Sequence, residues 1–515
     1  MSAENKLRRR DWLAGLGFFA VSVGLRVPFR TRLAYTWDSV EFTQAIREYN
    51  VVLNQPHPPG YFLYVMLGRL VNKCVGDPHA SLVWISVVAG SGLVAVIYLL
   101  GTAMFRRTAG VIAALVTLTS PLIWFFSCVA LTYVIDALLV SIVVLCCWRA
   151  GERGGTWGDV FAIAVLMAVV GGVRQQTLLG LALLAGATLA GIQSQRLWKW
   201  VVAFVVGTVL SAAWLILMLE MTGGYAVYWS AFQATTQFHA HKTSLGGGLD
   251  AVVWNVFFAA LYSAGGLMFG VVVIIAGLLV VLRQPAERRR ACIEQNRAAL
   301  RVMAMWILPS AAVGTLLAFT VAAGHVFTYL PGLLLLVGVV VSHVPAMWRR
   351  IGVTAAVCLL NALAFLAWPQ AWNGNLWGMV HTARVLHQHD EQLTHAVNAI
   401  RAQYQPSQTV VCHLYGDLFF GLRHFQLYLP EFDQYRLTHD LAMVTPPSKP
   451  VLNVRDGKLQ FVGGIDWRGK QIVLLVVPPG LGLRSFDPYF DVSAATLVEG
   501  SDGIVYELRV EHRRG

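Results

Sequence analysis

Runs of about 20 mostly apolar residues recur along the first 370 residues, and they constrain the fold more than any other feature. In a bilayer every backbone polar group must be satisfied within the segment, so such runs form helices. They predict an all-α, polytopic membrane domain. We place eleven spans near residues 11–29, 80–104, 109–127, 129–148, 157–173, 176–192, 198–220, 255–282, 302–322, 326–344 and 351–370.

The composition excludes a large soluble protein. Hydrophobic residues make up 57% of the chain and charged residues only 13%, whereas soluble proteins carry roughly 25% charged residues. The chain also holds 17 Trp and 25 Phe, which fits aromatic belts at a membrane interface. The lipid bilayer is therefore the first partner that the sequence predicts.

The basic residues are unevenly distributed. Residues 1–374 hold 26 Lys and Arg against 13 Asp and Glu, and residues 375–515 hold 13 against 14. A protein that binds nucleic acid would cluster its basic residues on a polar face, but here they lie in short loops between apolar runs. We therefore expect no nucleic-acid partner and read the excess as an orientation signal.

That signal favours a cytoplasmic N-terminus and a C-terminus outside. With eleven spans, 18 basic residues of the membrane domain lie inside and eight outside, as the positive-inside rule requires. The basic start, Lys6 to Arg10, followed by an apolar run, is typical of a signal peptide but has no small-residue cleavage site, so we interpret it as a retained first helix. The expected location is the plasma (inner) membrane of the cell envelope.

Two domains are predicted. Residues 1–374 form the transmembrane domain, with long outer loops at 31–79 and 221–250, and residues 375–515 form an extracytoplasmic α/β domain. In the latter, alternating apolar residues and turn signals predict a helix over 418–428 and strands over 409–414, 451–454, 459–462, 471–477 and 504–510. Only Cys412 of the seven cysteines lies in this domain, which excludes an internal disulfide.

The first outer loop carries two carboxylates, Asp38 and Glu41, three residues apart. If this segment is helical, both side chains face one way. Such a pair could activate a hydroxyl, bind a metal, or simply be solvated. The same loop holds an amphipathic or re-entrant helix over residues 61–73.

Further ionisable residues fall on the same predicted side. Arg174 lies in a hairpin between two short spans, where an ionisable residue is costly and suggests a functional site. Its guanidinium suits bidentate recognition of phosphate. In the alternative interpretation, Arg174 has no functional role and only extends its charged end to the membrane–water interface. Asp136, inside a span, is interpreted as a hydrogen-bond partner of a neighbouring helix.

The second outer loop contains His239, His241 and Lys242. The two histidines could bind a metal, and Lys242 could bind phosphate. Because a metal site needs three or four ligands, we expect no metal and no other cofactor, with a divalent ion as the less favoured alternative.

The first outer loop resembles that of the GT-C membrane glycosyltransferases. Its motifs are Trp37-Asp38-Ser39-Val40-Glu41 and Gln55-Pro56-His57-Pro58-Pro59-Gly60-Tyr61. Relatives of the protein O-mannosyltransferases carry Asp-Ser-Gly-Glu followed by Ala-His-Pro-Pro-Gly-Tyr. This chain differs at Val40 and in the Gln-Pro before His57.

Three other stretches are similar to parts of this group of enzymes. Gly172 to Gln176 and His325 to Pro331 fit the wider superfamily, and Leu422 to Glu431 is similar to the soluble tails of bacterial relatives. The resemblance implies inverting transfer of a sugar from a polyprenyl-phosphate donor to a hydroxyl of a protein, lipid or glycan, at the outer face of the membrane.

The resemblance also implies roles for individual residues. A lipid phosphate is a weak base and leaves without a general acid, unlike the leaving group of a glycosidase, so one catalytic base suffices. We expect Asp38 to be that base, with Glu41 second. The expected donor-phosphate or lipid contacts are Arg174, Lys242, His325, Tyr329 and His57, and the expected acceptor or pocket residues are Trp37, Tyr61, His239 and His241.

Two other classes of membrane protein compete with this reading. A transporter or lipid flippase would explain the spans, but its ionisable groups should lie near the midplane, often in repeated halves, and the sequence shows no repeat. A lipid-linked oligosaccharide ligase or polymerase would also act at the outer face.

Overall fold

The computed structural model describes residues 7–191, 196–240, 242–317, 323–368, 381–414, 419–437, 451–453, 460–462 and 465–512. Its membrane part is helical. The helices are α1 Arg9–Arg26, α2 Trp37–Arg47, α3 Phe62–Val75, α4 Pro78–Met104, α5 Arg107–Thr119, α6 Pro121–Phe126, α7 Tyr133–Arg153, α8 Trp157–Val173, α9 Thr177–Gly191, α10 Arg196–Thr222, α11 Tyr225–Ala240, α12 Gly248–Leu267, α13 Gly270–Arg283, α14 Ala286–Gln295, α15 Arg297–Ala312, α16 Leu330–Ser342 and α17 Met347–Leu366.

An apolar helix lies in each of the eleven predicted spans. Seven helices of the described residues are long and apolar enough to cross a membrane by length and composition, and five shorter apolar helices accompany them. The helical membrane domain is therefore confirmed, whereas the number of crossings stays a prediction. The ends of the predicted spans 176–192, 302–322 and 351–370 lie outside the described residues.

Two predicted spans are each divided into two helices. The span predicted over 109–127 breaks at Ser120, because Pro121 has no N–H to continue the helix and instead starts α6. The span predicted over 255–282 breaks at Met268, whose φ of 43° is in the left-handed region.

The predicted outer loop 221–250 also differs from expectation, because α11 occupies much of it.

The first outer loop folds into two packed helices. The side chain of Thr36 accepts a hydrogen bond from the Ser39 backbone N–H and caps the start of α2. At the other end, Arg69 of α3 donates to the backbone carbonyls of Ile46 and Ala45, at 3.0 and 3.1 Å. A cation at this end satisfies free carbonyls and matches the helix dipole. The helix predicted over 61–73 is confirmed as α3.

The C-terminal α/β domain is also confirmed. It begins with α18, Ala383–Gln403, and contains α19, Leu422–Tyr428. Among the described residues of this domain, seven strands form one sheet in the order β4-β3-β2-β1-β5-β7-β6. They are β1 Thr409–Leu414, β2 Asp433–Leu437, β3 Val451–Asn453, β4 Gln460–Val462, β5 Ile472–Val476, β6 Thr496–Leu497 and β7 Val505–Arg509. Strand β1 is parallel to β2 and β5, and the other pairings are antiparallel.

Sequence analysis missed β2 and the short β6. The polar run from Asp433 to Arg436 has no strong strand signal, and its pairing with β1 depends on residues more than 20 positions away. Part of the predicted helix 418–428 lies outside the described residues, and the helix begins only at Leu422.

The C-terminal domain is docked on the first outer loop by hydrogen bonds. The buried carboxylate of Asp390, on α18, accepts from the backbone N–H groups of Arg32 at 2.6 Å and Leu33 at 3.1 Å. The hydroxyl of Tyr428, on α19, accepts from the N–H of Ala34 at 2.7 Å. The domain therefore lies against the segment that leads into α2.

Two native cysteines test the predicted orientation. Cys74, at the end of α3, and Cys292, in α14, are both exposed, and the positive-inside rule places them on opposite sides of the membrane. We expect a membrane-impermeant maleimide applied to intact cells to modify Cys74 and to spare Cys292. Cys74→Ser and Cys292→Ser variants identify each labelled site. The reverse pattern would place the first outer loop in the cytoplasm and contradict the orientation.

Candidate active site

The start of α2 brings the two carboxylates to one side of the helix. Asp38 lies in its first turn and Glu41 three residues later, a spacing that places side chains as neighbours on a helix. Both face the imidazole of His57. The Nδ1 atom of His57 is 2.6 Å from Glu41 Oε2 and 4.0 Å from Asp38 Oδ1.

Glu41 is buried, with 1% of its surface exposed. The indole Nε1–H of Trp37 donates to Oε1 at 2.6 Å. His57 donates to Oε2 from its ring Nδ1 at 2.6 Å and from its backbone N–H at 3.3 Å. With three donors directed at it, Glu41 is suited to holding Trp37 and His57 in place.

His57 lies between the carboxylates and Tyr61, whose hydroxyl is 3.3 Å from Nε2. Burial alone would lower the pKa of His57, but its contacts with Tyr61, Asp38 and Glu41 outweigh that effect and raise the pKa well above its usual range. The raised pKa favours the imidazolium form, which donates from both nitrogens and offsets part of the negative charge beside it.

Asp38 is the accessible member of this group. Its side chain is 41% exposed, although the surrounding protein still displaces enough water to raise the pKa of the carboxyl, an effect that the charge of His57 opposes. A substrate hydroxyl could therefore reach Asp38, whereas Glu41 is enclosed.

The same three side chains could hold a cation. Asp38, Glu41 and His57 each present one ligand atom, and these atoms lie within 4.8 Å of one another. Coordination would require a neutral imidazole, whereas the short contact with Glu41 favours the protonated ring. Sequence analysis assigned His57 to the donor phosphate and did not predict its contact with the carboxylates.

Arg174 is buried rather than extended towards the membrane interface. It ends α8, and only 4% of its surface is exposed. Its Nη1 donates to the carbonyl of Gly324 at 2.5 Å and lies 3.4 Å from Asp136 Oδ2, while Nη2 is 3.3 Å from His325 Nδ1. Arg174 and His325, which were predicted to share one side, are thus in contact.

Asp136 and His325 orient this guanidinium. Asp136, on α7, is fully buried and also accepts from Thr177 Oγ1 of α9 at 2.9 Å, which matches its interpretation as a link between helices. Burial, together with the charge of Arg174, lowers the pKa of His325 to about 3. His325 is therefore neutral, and its Nδ1 can accept from Arg174.

The two groups of polar residues are adjacent. Gln175, next to Arg174, donates to the carbonyl of Pro59 in the loop that carries His57, at 3.3 Å. The charge of Arg174 also acts on the carboxyl of Asp38. A carboxylate that can accept a proton and a guanidinium that can bind an anion therefore occur in one region, as an acid–base site for group transfer requires.

The remaining predicted residues have other surroundings. The hydroxyl of Tyr329 is 3.1 Å from Ser263 Oγ. Lys242 lies just after α11, and its carbonyl accepts from Asn255 at 3.1 Å, so this contact joins it to α12. His239 is half-buried near the end of α11, and His241 lies outside the described residues. The contacts described for Lys242 and His239 are with α11 and α12 and do not include Arg174.

The C-terminal domain adds two residues that sequence analysis did not assign to the site. The guanidinium carbons of Arg423 and Arg436 lie 5.6 and 5.1 Å from the centre of the Trp37 ring. The similarity of Leu422 to Glu431 to soluble tails was the one sequence signal near Arg423. Its contact with Trp37, nearly 390 positions away, was not predictable from that signal.

Comparison with known proteins finds a family match for part of the membrane domain. Residues 38–236 match the family described as "Protein O-mannosyl-transferase TMEM260 N-terminal domain". The matched region starts at Asp38 and includes Glu41, His57, Asp136 and Arg174. No curated protein matches the chain.

Two solved structures share the fold. ArnT from Cupriavidus metallidurans bound to undecaprenyl phosphate aligns with a TM-score of 0.58 and 12% identity, over 96% of this chain and 97% of that one. ArnT from the same organism in the apo state aligns with a TM-score of 0.57 and 14% identity, over 96% and 98%. The chain is thus a multi-pass membrane protein whose fold is similar to that of ArnT over nearly its whole length, and its residues 38–236 match a protein O-mannosyltransferase family model.

Proposed function

We propose that the protein transfers a sugar from a polyprenyl-phosphate donor to an acceptor hydroxyl, with inversion, at the outer face of the membrane. The observation that carries this proposal is the accessible Asp38 carboxylate, held beside buried Glu41 and His57 and close to Arg174. The similar fold of ArnT bound to undecaprenyl phosphate supports a donor carried on a lipid phosphate.

In the proposed reaction, the acceptor oxygen attacks the anomeric carbon as the bond from that carbon to the phosphate oxygen breaks. Asp38 takes the hydroxyl proton as the new bond forms. Polyprenyl phosphate leaves as an anion, and no acid has to protonate it. The acceptor gains the sugar, the lipid keeps the phosphate, and the proton passes from Asp38 to solvent.

Arg174 is proposed to bind the leaving phosphate. Its Nη atoms are oriented by Gly324, Asp136 and His325, and its buried Nε makes no hydrogen bond to the described residues. A preorganised donor stabilises charge that develops in the transition state more than charge in the ground state. The proposed mechanism uses no metal ion.

The proposal is tested with purified protein in lipid nanodiscs and a panel of polyprenyl-phosphate sugars, by measuring release of polyprenyl phosphate. We expect one donor to be consumed at a rate that depends on Asp38, with EDTA present. Activity only after addition of Mg²⁺ or Mn²⁺ would contradict the metal-free mechanism. If no donor were consumed while labelled lipid crossed the bilayer of proteoliposomes, the flippase alternative would replace the proposal.

The raised pKa of Asp38 predicts a particular pH dependence. A catalytic base must be ionised, so activity should fall as the pH drops through the pKa of Asp38. Because burial raises this pKa, the acid limb of the kcat/KM profile should lie above the usual value for aspartate of about 4. The profile of purified enzyme between pH 4 and 8 measures it. An acid limb that persists in Asp38→Asn would show that another group titrates.

A further inference from the structure

Trp37 connects the candidate active site to the C-terminal domain. On one side its indole N–H donates to the buried Glu41 carboxylate at 2.6 Å. On the other side, Arg423 lies over its ring with its guanidinium carbon 5.6 Å from the ring centre. Guanidinium groups are attracted to the faces of aromatic rings, and the attraction grows when water is excluded.

Arg423 also contacts the two segments that carry the site. Its Nη2 donates to the carbonyl of Leu53 at 2.8 Å, and its Nη1 lies 3.4 Å from Gln44 Oε1. Gln44 belongs to α2, which presents Asp38 and Glu41, and Leu53 lies four residues before His57. One side chain of the C-terminal domain therefore joins α2 to the loop that supplies the imidazole.

The burial of Arg423 needs an explanation. Only 1% of its surface is exposed, and a buried charge is costly unless it is paired or well hydrogen-bonded. Docking of the domain does not depend on it alone, because Asp390 and Tyr428 accept separate backbone hydrogen bonds from Arg32, Leu33 and Ala34. Its contacts are instead concentrated on Trp37, Gln44 and Leu53.

We infer that Arg423 is a positioning residue for the proposed transfer reaction: it fixes Trp37 and α2 relative to the His57 loop, so that the C-terminal domain is part of the catalytic unit. The inference rests on the proposed function in one respect: the activity test of the Arg423 variants assumes that sugar transfer takes place at Asp38, Glu41 and His57. Arginine suits this role because its planar fork stacks on an indole and donates to two acceptors at once, which a lysine ammonium cannot reproduce.

The test compares Arg423→Met with Arg423→Lys and with Arg468→Met as a matched control. Arg468 lies in the same domain, and its side chain is 91% exposed in a surface pair with Asp466. We expect Arg423→Met to lower kcat by about 10²-fold, the order of loss caused by a displacement of about 1 Å at a reacting group, with little change in the donor KM. Arg423→Lys should recover part of this loss, and Arg468→Met should match the wild type.

Hydrogen exchange measured by mass spectrometry supplies a readout that does not need activity. Arg423→Met should speed exchange of amides in residues 37–47 and 53–61 and leave α18 unchanged. Unchanged exchange over 37–61, or faster exchange throughout the C-terminal domain, would overturn the inference, as would a loss expressed mainly in the donor KM. If the wild type consumed no donor but the local exchange response occurred, the positioning role would stand and the proposed function would fail.

Discussion

Replacement of Asp38 by Asn is expected to lower the rate of sugar transfer by about 10²–10⁴-fold, the range associated with a general base. The amide keeps the shape of the side chain but cannot take the proton of the attacking hydroxyl. Because Asp38 is the accessible carboxylate of the group, the loss should appear in kcat, while binding of the donor is retained. Single-turnover release of polyprenyl phosphate measures this directly.

Glu41→Gln is the matched comparison for this variant. Glutamine still offers an oxygen to the Trp37 indole, but it weakens the charge-assisted contact with His57. We therefore expect a smaller loss than for Asp38→Asn. The opposite ranking would exchange the two roles. If neither variant changed turnover, the glycosyl-transfer site would lie elsewhere and the transporter alternative would be favoured.

Removal of the Arg174 side chain is expected to reduce transfer by about 10²-fold or more, as loss of a preorganised donor to developing negative charge does in other enzymes. Arg174→Lys should recover little of the lost activity. The planar guanidinium contacts Gly324 and His325 and still has donors left for a phosphate, and a lysine ammonium lacks this fork. Turnover and donor affinity of purified protein measure both effects.

The pairing of Arg174 with Asp136 requires a control. Arg174→Ala alone would leave Asp136 as an unpaired buried charge, and breaking such a pair costs about 3–5 kcal/mol of stability. The informative variant is therefore Asp136→Asn/Arg174→Ala, in which no buried charge is left, compared with the wild type. If this double variant turned over as fast as the wild type, Arg174 would serve only to balance Asp136.

The sequence by itself determined the features that depend on local composition and pattern. Apolar runs of membrane-spanning length predicted the helical domain, because a bilayer tolerates little else. Alternating apolar residues predicted most strands of the C-terminal sheet, and the motifs around Asp38 and His57 indicated a resemblance to the GT-C membrane glycosyltransferases. The position of Arg174, in a hairpin between two short helices, was also visible in the sequence.

Tertiary structure alone decided how these groups are paired. It placed Asp136 in contact with Arg174, 38 positions away, and Arg423 in contact with Gln44, 379 positions away. It also decided that Glu41 is enclosed while Asp38 stays accessible. A local pattern reports which face of a helix is apolar, but polar partners are chosen by the packing of distant segments, where an unpaired buried charge would be too costly. The proposed role of each residue therefore rests also on burial and contacts that no window of the sequence contains.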